Sequence, residues 1–272
     1  MSDRKHLRWQ TLPTTPAPLA NFKGQHAQIN GCSLYYAVGG AGADTVIMLH
    51  GGMANSDYWG LQAAFLAPTH RVIIVDSRGH GRSTLGDKPM SYKQMAHDIA
   101  RLMEHLEIPK ASIIGWSDGG VQSIILAATY PDKIARIFAY GPHMSLAGLN
   151  MQCGDNPVVD AFVKRAEQDY KRLSPTPDQF GTFYKDVWGL WQWQHDALFA
   201  EDQMAAIRCP AWIVDGDRDE MINRSHLDYL AAHIPDASLM LLPDTSHFAF
   251  LQAPELFNAA LKDFLSVQDA RV

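Results

Sequence analysis

Short apolar runs alternate with amphipathic stretches along most of the chain. Thr45–Leu49, Arg71–Val75, Ser112–Gly115 and Ile134–Tyr140 are of strand length and largely apolar. That is the pattern of strands buried on both faces. Between them, Tyr58–Ala67, Ser91–Glu107 and Gly119–Tyr130 read as helices. In the second of these, Met95, Ile99, Leu102 and Leu106 fall on one helical face. Pro109 follows its end, and Pro131 closes the next helix. Cys32–Val38 is strand-like and runs into the turn Gly39-Gly40-Ala41-Gly42. Near the C-terminus the rhythm recurs: Ala211–Val214 and Ser238–Leu242 as strands, Ser225–His233 and Glu255–Leu265 as helices.

Alternating buried strands and helices predict an α/β fold, a mostly parallel twisted sheet with helices on both faces. The rhythm breaks after Pro142. Residues 143–205 are helical and aromatic in pattern, with loops at Asn156-Pro157 and Ser174-Pro175-Thr176-Pro177. Val159, Phe162, Ala166, Tyr170 and Leu173 share one helix face. We read 143–205 as a helical lid inserted into a core made of 1–142 and 206–272. Such a lid would cover the carboxyl ends of the strands, where sheets of this kind place their sites. Residues 1–24, rich in Pro and Thr over 11–20, read as a loose N-terminal arm.

A chain of 272 residues fits one large domain with an insertion. Its composition, 47% hydrophobic and 19% charged, excludes disorder as the main state. With 23 Lys and Arg against 29 Asp and Glu, the net charge of −6 gives no footprint for nucleic acid and none for an anionic membrane. No apolar run reaches the ~18 residues of a span. The charged N-terminus lacks the apolar core of a secretory signal, so the expected location is cytoplasmic. Cys32, Cys153 and Cys209 are far apart and read as free buried thiols. No H-e-x-x-H and no His/Cys cluster of zinc spacing occurs, so neither metal nor cofactor is expected. The glycine run 39–42 lies between two strands, which fails the dinucleotide fingerprint.

The most informative stretch is Gly115-Trp116-Ser117-Asp118-Gly119-Gly120, after an apolar strand and before a helix. That context suits a nucleophile elbow, a sharp turn that exposes the serine hydroxyl at a helix N-terminus. A serine nucleophile needs a base, and the base needs an acid to orient it. His247 lies in a loop just past Ser238–Leu242, at the carboxyl edge of the sheet, whereas His226 and His233 fall within a helix. The acid belongs in the loop after Ala211–Val214, where Asp215, Asp217, Asp219 and Glu220 all stand. Loop geometry does not choose among the four; those not used are expected to be solvated or to pair with Arg218. His50-Gly51-Gly52-Met53 follows Thr45–Leu49 and suits an oxyanion loop, with the backbone N–H of Asp118 as second donor. His50 reads as a structural hydrogen-bonding group.

Together these pieces resemble the α/β-hydrolase superfamily, from about Gly31 to Leu265. Asp76-Ser77-Arg78-Gly79-His80-Gly81-Arg82-Ser83 is similar to that family's tight turn after its fourth strand. The Gly-Trp-Ser-Asp-Gly-Gly elbow resembles the subgroup that includes valacyclovir hydrolase and many small bacterial esterases. The resemblance implies Ser117, Asp219 and His247 as catalytic triad, with Asp217 as the other candidate acid. It also implies Gly52 as oxyanion donor, with Met53 the alternative. The expected activity is hydrolysis of a small carboxylic ester, thioester, lactone or amide through an acyl-enzyme. Carbon–carbon bond hydrolysis, cofactor-free haloperoxidase or perhydrolase chemistry, and ligand binding on a hydrolase scaffold are the alternatives. Asp118, Trp116 and Met53 are candidate substrate contacts, and the Asp118 carboxylate would favour an ammonium-bearing acyl group.

Overall fold

A computed structural model describes residues 7–193 and 199–266. One eight-stranded sheet runs in the order β1-β2-β4-β3-β5-β6-β7-β8. The strands are β1 (Lys23–Ile29), β2 (Cys32–Gly39), β3 (Thr45–Leu49), β4 (Arg71–Val75), β5 (Ala111–Trp116), β6 (Ile134–Tyr140), β7 (Ala211–Gly216) and β8 (Ala237–Leu242). From β4 to β8 every neighbouring pair is parallel, whereas β1–β2 and β2–β4 are antiparallel. All five residues of β3 are buried, as its unbroken apolar run requires.

The helices are α1 (Gly60–Leu66), α2 (Tyr92–His105), α3 (Asp118–Thr129), α4 (Pro157–Leu173), α5 (Phe180–Trp191), α6 (Glu201–Ala205), α7 (Arg224–His233), α8 (Ala249–Gln252) and α9 (Pro254–Ser266). The chain moves from β3 outward to β4 and then returns to β5 on the other side of β3. That reversal opens a crevice at the carboxyl ends of β3 and β5. His50 follows the first of these strands and Ser117 the second. The helices α4, α5 and α6 fall between β6 and β7. On α4, Val159, Phe162, Ala166 and Tyr170 are buried, on the face expected from their spacing. Among the described residues no helix is long and apolar enough to cross a membrane. The three cysteines are buried and form no disulfide among the described residues.

The expected loose arm is corrected in two ways. Its last residues begin β1, an edge strand whose burial alternates only at its end, so the sequence carried little strand signal. Asn30 and Gly31, both at positive φ (47° and 77°), turn β1 into β2, a two-residue hairpin that suits this pair of residues. From Leu7 onward the arm is bound to the body. The Gln252 amide donates to the Thr11 carbonyl at 2.7 Å, and the Arg165 guanidinium to those of Leu12 and Pro13 at 3.0 and 2.6 Å. Long-range partners of this kind leave no local pattern in a Pro-rich stretch.

Candidate active site

Ser117 sits between β5 and α3 with φ 54° and ψ −115°. A non-glycine residue holds such a conformation only when its surroundings over-determine it. Its N–H donates to the Tyr140 carbonyl at 2.7 Å, and its own carbonyl accepts from the Val121 N–H at 3.0 Å. The turn is tight enough to require glycine on both sides. A Cβ on Gly115 would lie 2.1 Å from the Gly119 carbonyl oxygen, and one on Gly119 would lie 2.1 Å from that of Leu49. Both obstacles are backbone, so they yield only by moving the elbow. Gly119→Ala is therefore expected to cost about 3 kcal/mol, seen as a melting temperature lowered by roughly 6–12 °C.

His247 follows β8 through a loop turned at Asp244 (φ 55°). Its Nδ1 donates to Asp219 Oδ2 at 2.6 Å. Asp219 Oδ1 accepts the N–H groups of Met221 and Ile222 at 2.6 and 2.8 Å. Burial opposes the Asp219 charge, but the facing imidazole and these bonds hold its carboxyl below the usual range. Burial also opposes the imidazolium, yet the Asp219 charge and hydrogen bond outweigh it, and the His247 pKa is raised. Nε2 of His247 is buried without a hydrogen-bond partner among the described residues. The imidazole lies over Gly141, where a Cβ would be 2.8 Å from Cε1. It is 5.8 Å, centroid to centroid, from the Trp116 indole beside Ser117.

Asp217 is exposed, accepts from the Thr245 N–H at 3.3 Å and faces Arg218 at 3.7 Å, away from the imidazole. Asp215 and Glu220 are buried, which corrects the expectation that the unused carboxylates are solvated. Glu220 Oε2 accepts from the His247 N–H at 3.2 Å, and burial pushes its pKa up to about 7. Donor atoms of Asp215, Asp219 and His247 lie within 4.8 Å of one another. The hydrogen bond between Nδ1 and Oδ2 already occupies the space an ion would need.

On the other side of Ser117, the His50 imidazole donates from Nδ1 to the Gly51 carbonyl at 2.7 Å and accepts the Ser77 N–H on Nε2 at 3.0 Å. It is fully buried, which lowers its pKa and keeps it neutral. This fixes the loop whose Gly51, given a Cβ, would come within 3.0 Å of the Ser117 Cβ. Met53 is at φ 61°. Among the described residues the N–H groups of Gly52 and Met53 meet no acceptor.

Residues 44–157 match the family model of the alpha/beta hydrolase fold. The human serine hydrolase BPHL is 28% identical over 250 residues, with 87% of this chain and 84% of that protein covered. Esterase YbfF of Escherichia coli is 23% identical over 251 residues, covering 81% of this chain and 92% of the esterase. The crystal structure of an enol-lactonase from Burkholderia xenovorans superimposes with a TM-score of 0.71 at 22% identity, covering 89% of this chain and all of that one (100%). The chain has the α/β-hydrolase fold and is a hydrolase.

In this hydrolase the residue after the elbow serine is engaged with side chains from two distant helices. Asp118 Oδ1 accepts the Tyr92 hydroxyl at 2.9 Å and the Trp191 indole N–H at 3.0 Å. Tyr92 also meets His143 Nε2 at 3.3 Å. Asp118 Oδ2 is buried and unpartnered among the described residues, beside Gly52, where a Cβ would come within 2.6 Å of it. Burial pushes the Asp118 pKa up to about 7. No periodicity links positions 92, 118, 143 and 191, so only tertiary contact reveals this group. Trp116 is 1% exposed, packed against Phe250 at 4.6 Å and Phe248 at 5.6 Å. Trp188 and Trp191, three residues apart on α5, have ring centroids 5.5 Å apart.

Proposed function

We propose that this hydrolase cleaves small carboxylic esters through an acyl-enzyme, with Ser117 as nucleophile, His247 as general base and Asp219 as orienting acid. The observation that carries this reading is the His247 imidazole. Its Nδ1 proton is held by Asp219 at 2.6 Å, while Nε2 is left without a partner at the elbow. Nε2 takes the Ser117 proton as Oγ attacks the carbonyl. The N–H groups of Gly52 and Asp118, or Met53 in place of Gly52, hold the developing oxyanion. Protonated His247 then releases the leaving group, and water reverses the sequence to free the acid. No step calls on a metal or cofactor. The names of the two relatives, a serine hydrolase and an esterase, support the same chemistry for a small-molecule substrate. Segment 143–205 acts as the lid: its Trp191 reaches Asp118 beside the nucleophile.

The base works only when neutral. Because the His247 pKa is raised above 6.5, kcat/KM should rise with pH along a limb centred above that value. A pH profile with p-nitrophenyl acetate reads this limb, and a limb centred below 6.5 would remove His247 as base.

The same reading extends to substrate choice. Asp118 Oδ2 is an unpartnered buried acceptor, and an ammonium group on the acyl part would satisfy it. One charge pair at ~4 Å is worth about 4 kcal/mol at an effective dielectric near 20. Asp118→Asn keeps the backbone donor and removes the charge. It should lower the ratio of α-amino-ester to neutral-ester turnover by about ten- to a hundredfold. With the Asp118 pKa near 7, the wild-type preference should grow as pH rises through that value. An unchanged ratio would sink the amine reading and leave the triad untouched.

A further inference from the structure

Asp215, at the end of β7, has no assigned part in the triad, yet it is 1% exposed and faces it. Its Oδ1 accepts the Gly216 N–H at 2.8 Å. Its Oδ2 meets no N–H donor and no hydroxyl. What lies beside it is the Asp219 carboxyl: an oxygen of each is within 4.8 Å of the other. Two buried carboxyl groups this close can share a hydrogen bond only if one carries a proton.

We propose that Asp215 is a positioning residue: it stays protonated and donates a hydrogen bond to Asp219, so that Asp219 serves His247 as a fixed, weakly basic acceptor. The inference rests on the reading of His247 as general base. The surroundings say which carboxyl holds the proton. Asp219 already receives the N–H groups of Met221 and Ile222 and the His247 imidazole. Asp215 has one backbone N–H and no cation. The ionisable groups around it are Asp219 and Glu220 on its own loop, His247 after β8, and the Tyr140 hydroxyl of β6. Tyr140 donates to the Ser246 carbonyl rather than to Asp215. Burial and the Asp219 charge push the Asp215 pKa well above the usual carboxylate range. A second negative charge here would repel the first by about 4 kcal/mol at ~4 Å.

With Asp215 neutral, Asp219 has a donor on every side: two backbone N–H groups, the imidazole and the Asp215 hydroxyl. Its rotamer is locked. The extra donor also spreads its charge, so the Nδ1 proton stays on the imidazole during turnover. The nearest relative of this arrangement in physical terms is a carboxylic acid kept neutral by an apolar site so that it can donate.

Asp215→Asn and Asp215→Leu separate the possibilities. The amide N–H of asparagine replaces the donor, whereas leucine removes it at similar volume. The His247 imidazole pKa, followed by NMR, and the acid limb of kcat/KM on p-nitrophenyl acetate should be unmoved in Asp215→Asn. In Asp215→Leu both should rise by about one unit, because an Asp219 stripped of a donor holds the imidazolium more strongly. A fall in Asp215→Asn would mean that Asp215 had been ionised, and the proposal would be overturned. No shift in either variant would overturn it too. If the leucine variant does not fold, the infrared difference between wild type and Asp215→Asn decides. It should show the C=O stretch of a protonated carboxyl group at neutral pH, and its absence refutes the proposal. The band and the imidazole shift do not depend on turnover, so an enzyme inactive on esters that shows both would fail the esterase reading alone.

Discussion

Ser117→Ala should lower kcat on a p-nitrophenyl ester by about a millionfold, the scale on which serine hydrolases lose a nucleophile. The serine in its strained turn (φ 54°) carries the only side-chain change. Alanine accepts the same neighbours, and the melting temperature should hold or rise slightly as a strained polar residue is removed. Activity and stability therefore part company, which separates a nucleophile from a structural serine. A fluorophosphonate should label the wild type at Ser117 and leave the variant unmarked. Substantial turnover in Ser117→Ala would reject the acyl-enzyme route and favour activation of water by His247 alone.

Asp219→Asn should lower kcat by about ten-thousandfold, and the reason is visible in its hydrogen bonds. Oδ1 accepts two backbone N–H groups, from Met221 and Ile222, at 2.6 and 2.8 Å. Asparagine keeps both only by placing its carbonyl there. Its NH2 then points at His247 Nδ1, which must become an acceptor. The imidazole proton moves to Nε2, the atom that should receive the Ser117 proton. Geometry survives while the tautomer is reversed. Asp217→Asn, on the exposed side of the same loop, should leave kcat within a few-fold. Equal losses in the two variants would reject Asp219 as the orienting acid.

Much of this arrangement was legible in the sequence because it depends on short-range rules. The buried runs at β3, β4, β5 and β6 stand out as strands, since parallel strands covered on both faces cannot alternate. The elbow is written in consecutive residues: Gly115 faces the Gly119 backbone a turn away, and Gly119 faces the Leu49 carbonyl at the end of the neighbouring strand. Edge strand β1, exposed over most of its length, left no such mark. The arm after Leu7 looked loose because its fastenings, Arg165 and Gln252, are more than a hundred residues distant.

The sequence by itself determined the element order, the elbow and the types of residue available for acid and base, since each follows from local pattern or chain order. Local pattern left four carboxylates open and only the family resemblance pointed to Asp219; tertiary structure decides which of them meets the imidazole. The choice turns on a loop folded by backbone N–H groups onto Asp219, with Asp217 turned out and Asp215 and Glu220 turned in. It also brought Tyr92 and Trp191 to Asp118, with His143 against the Tyr92 hydroxyl, joining α2 and α5 at one carboxylate. The physical reason is common to both. Local conformational preference acts over a few residues, whereas a buried charge is settled by whatever donors the packed chain brings within about 3 Å of it.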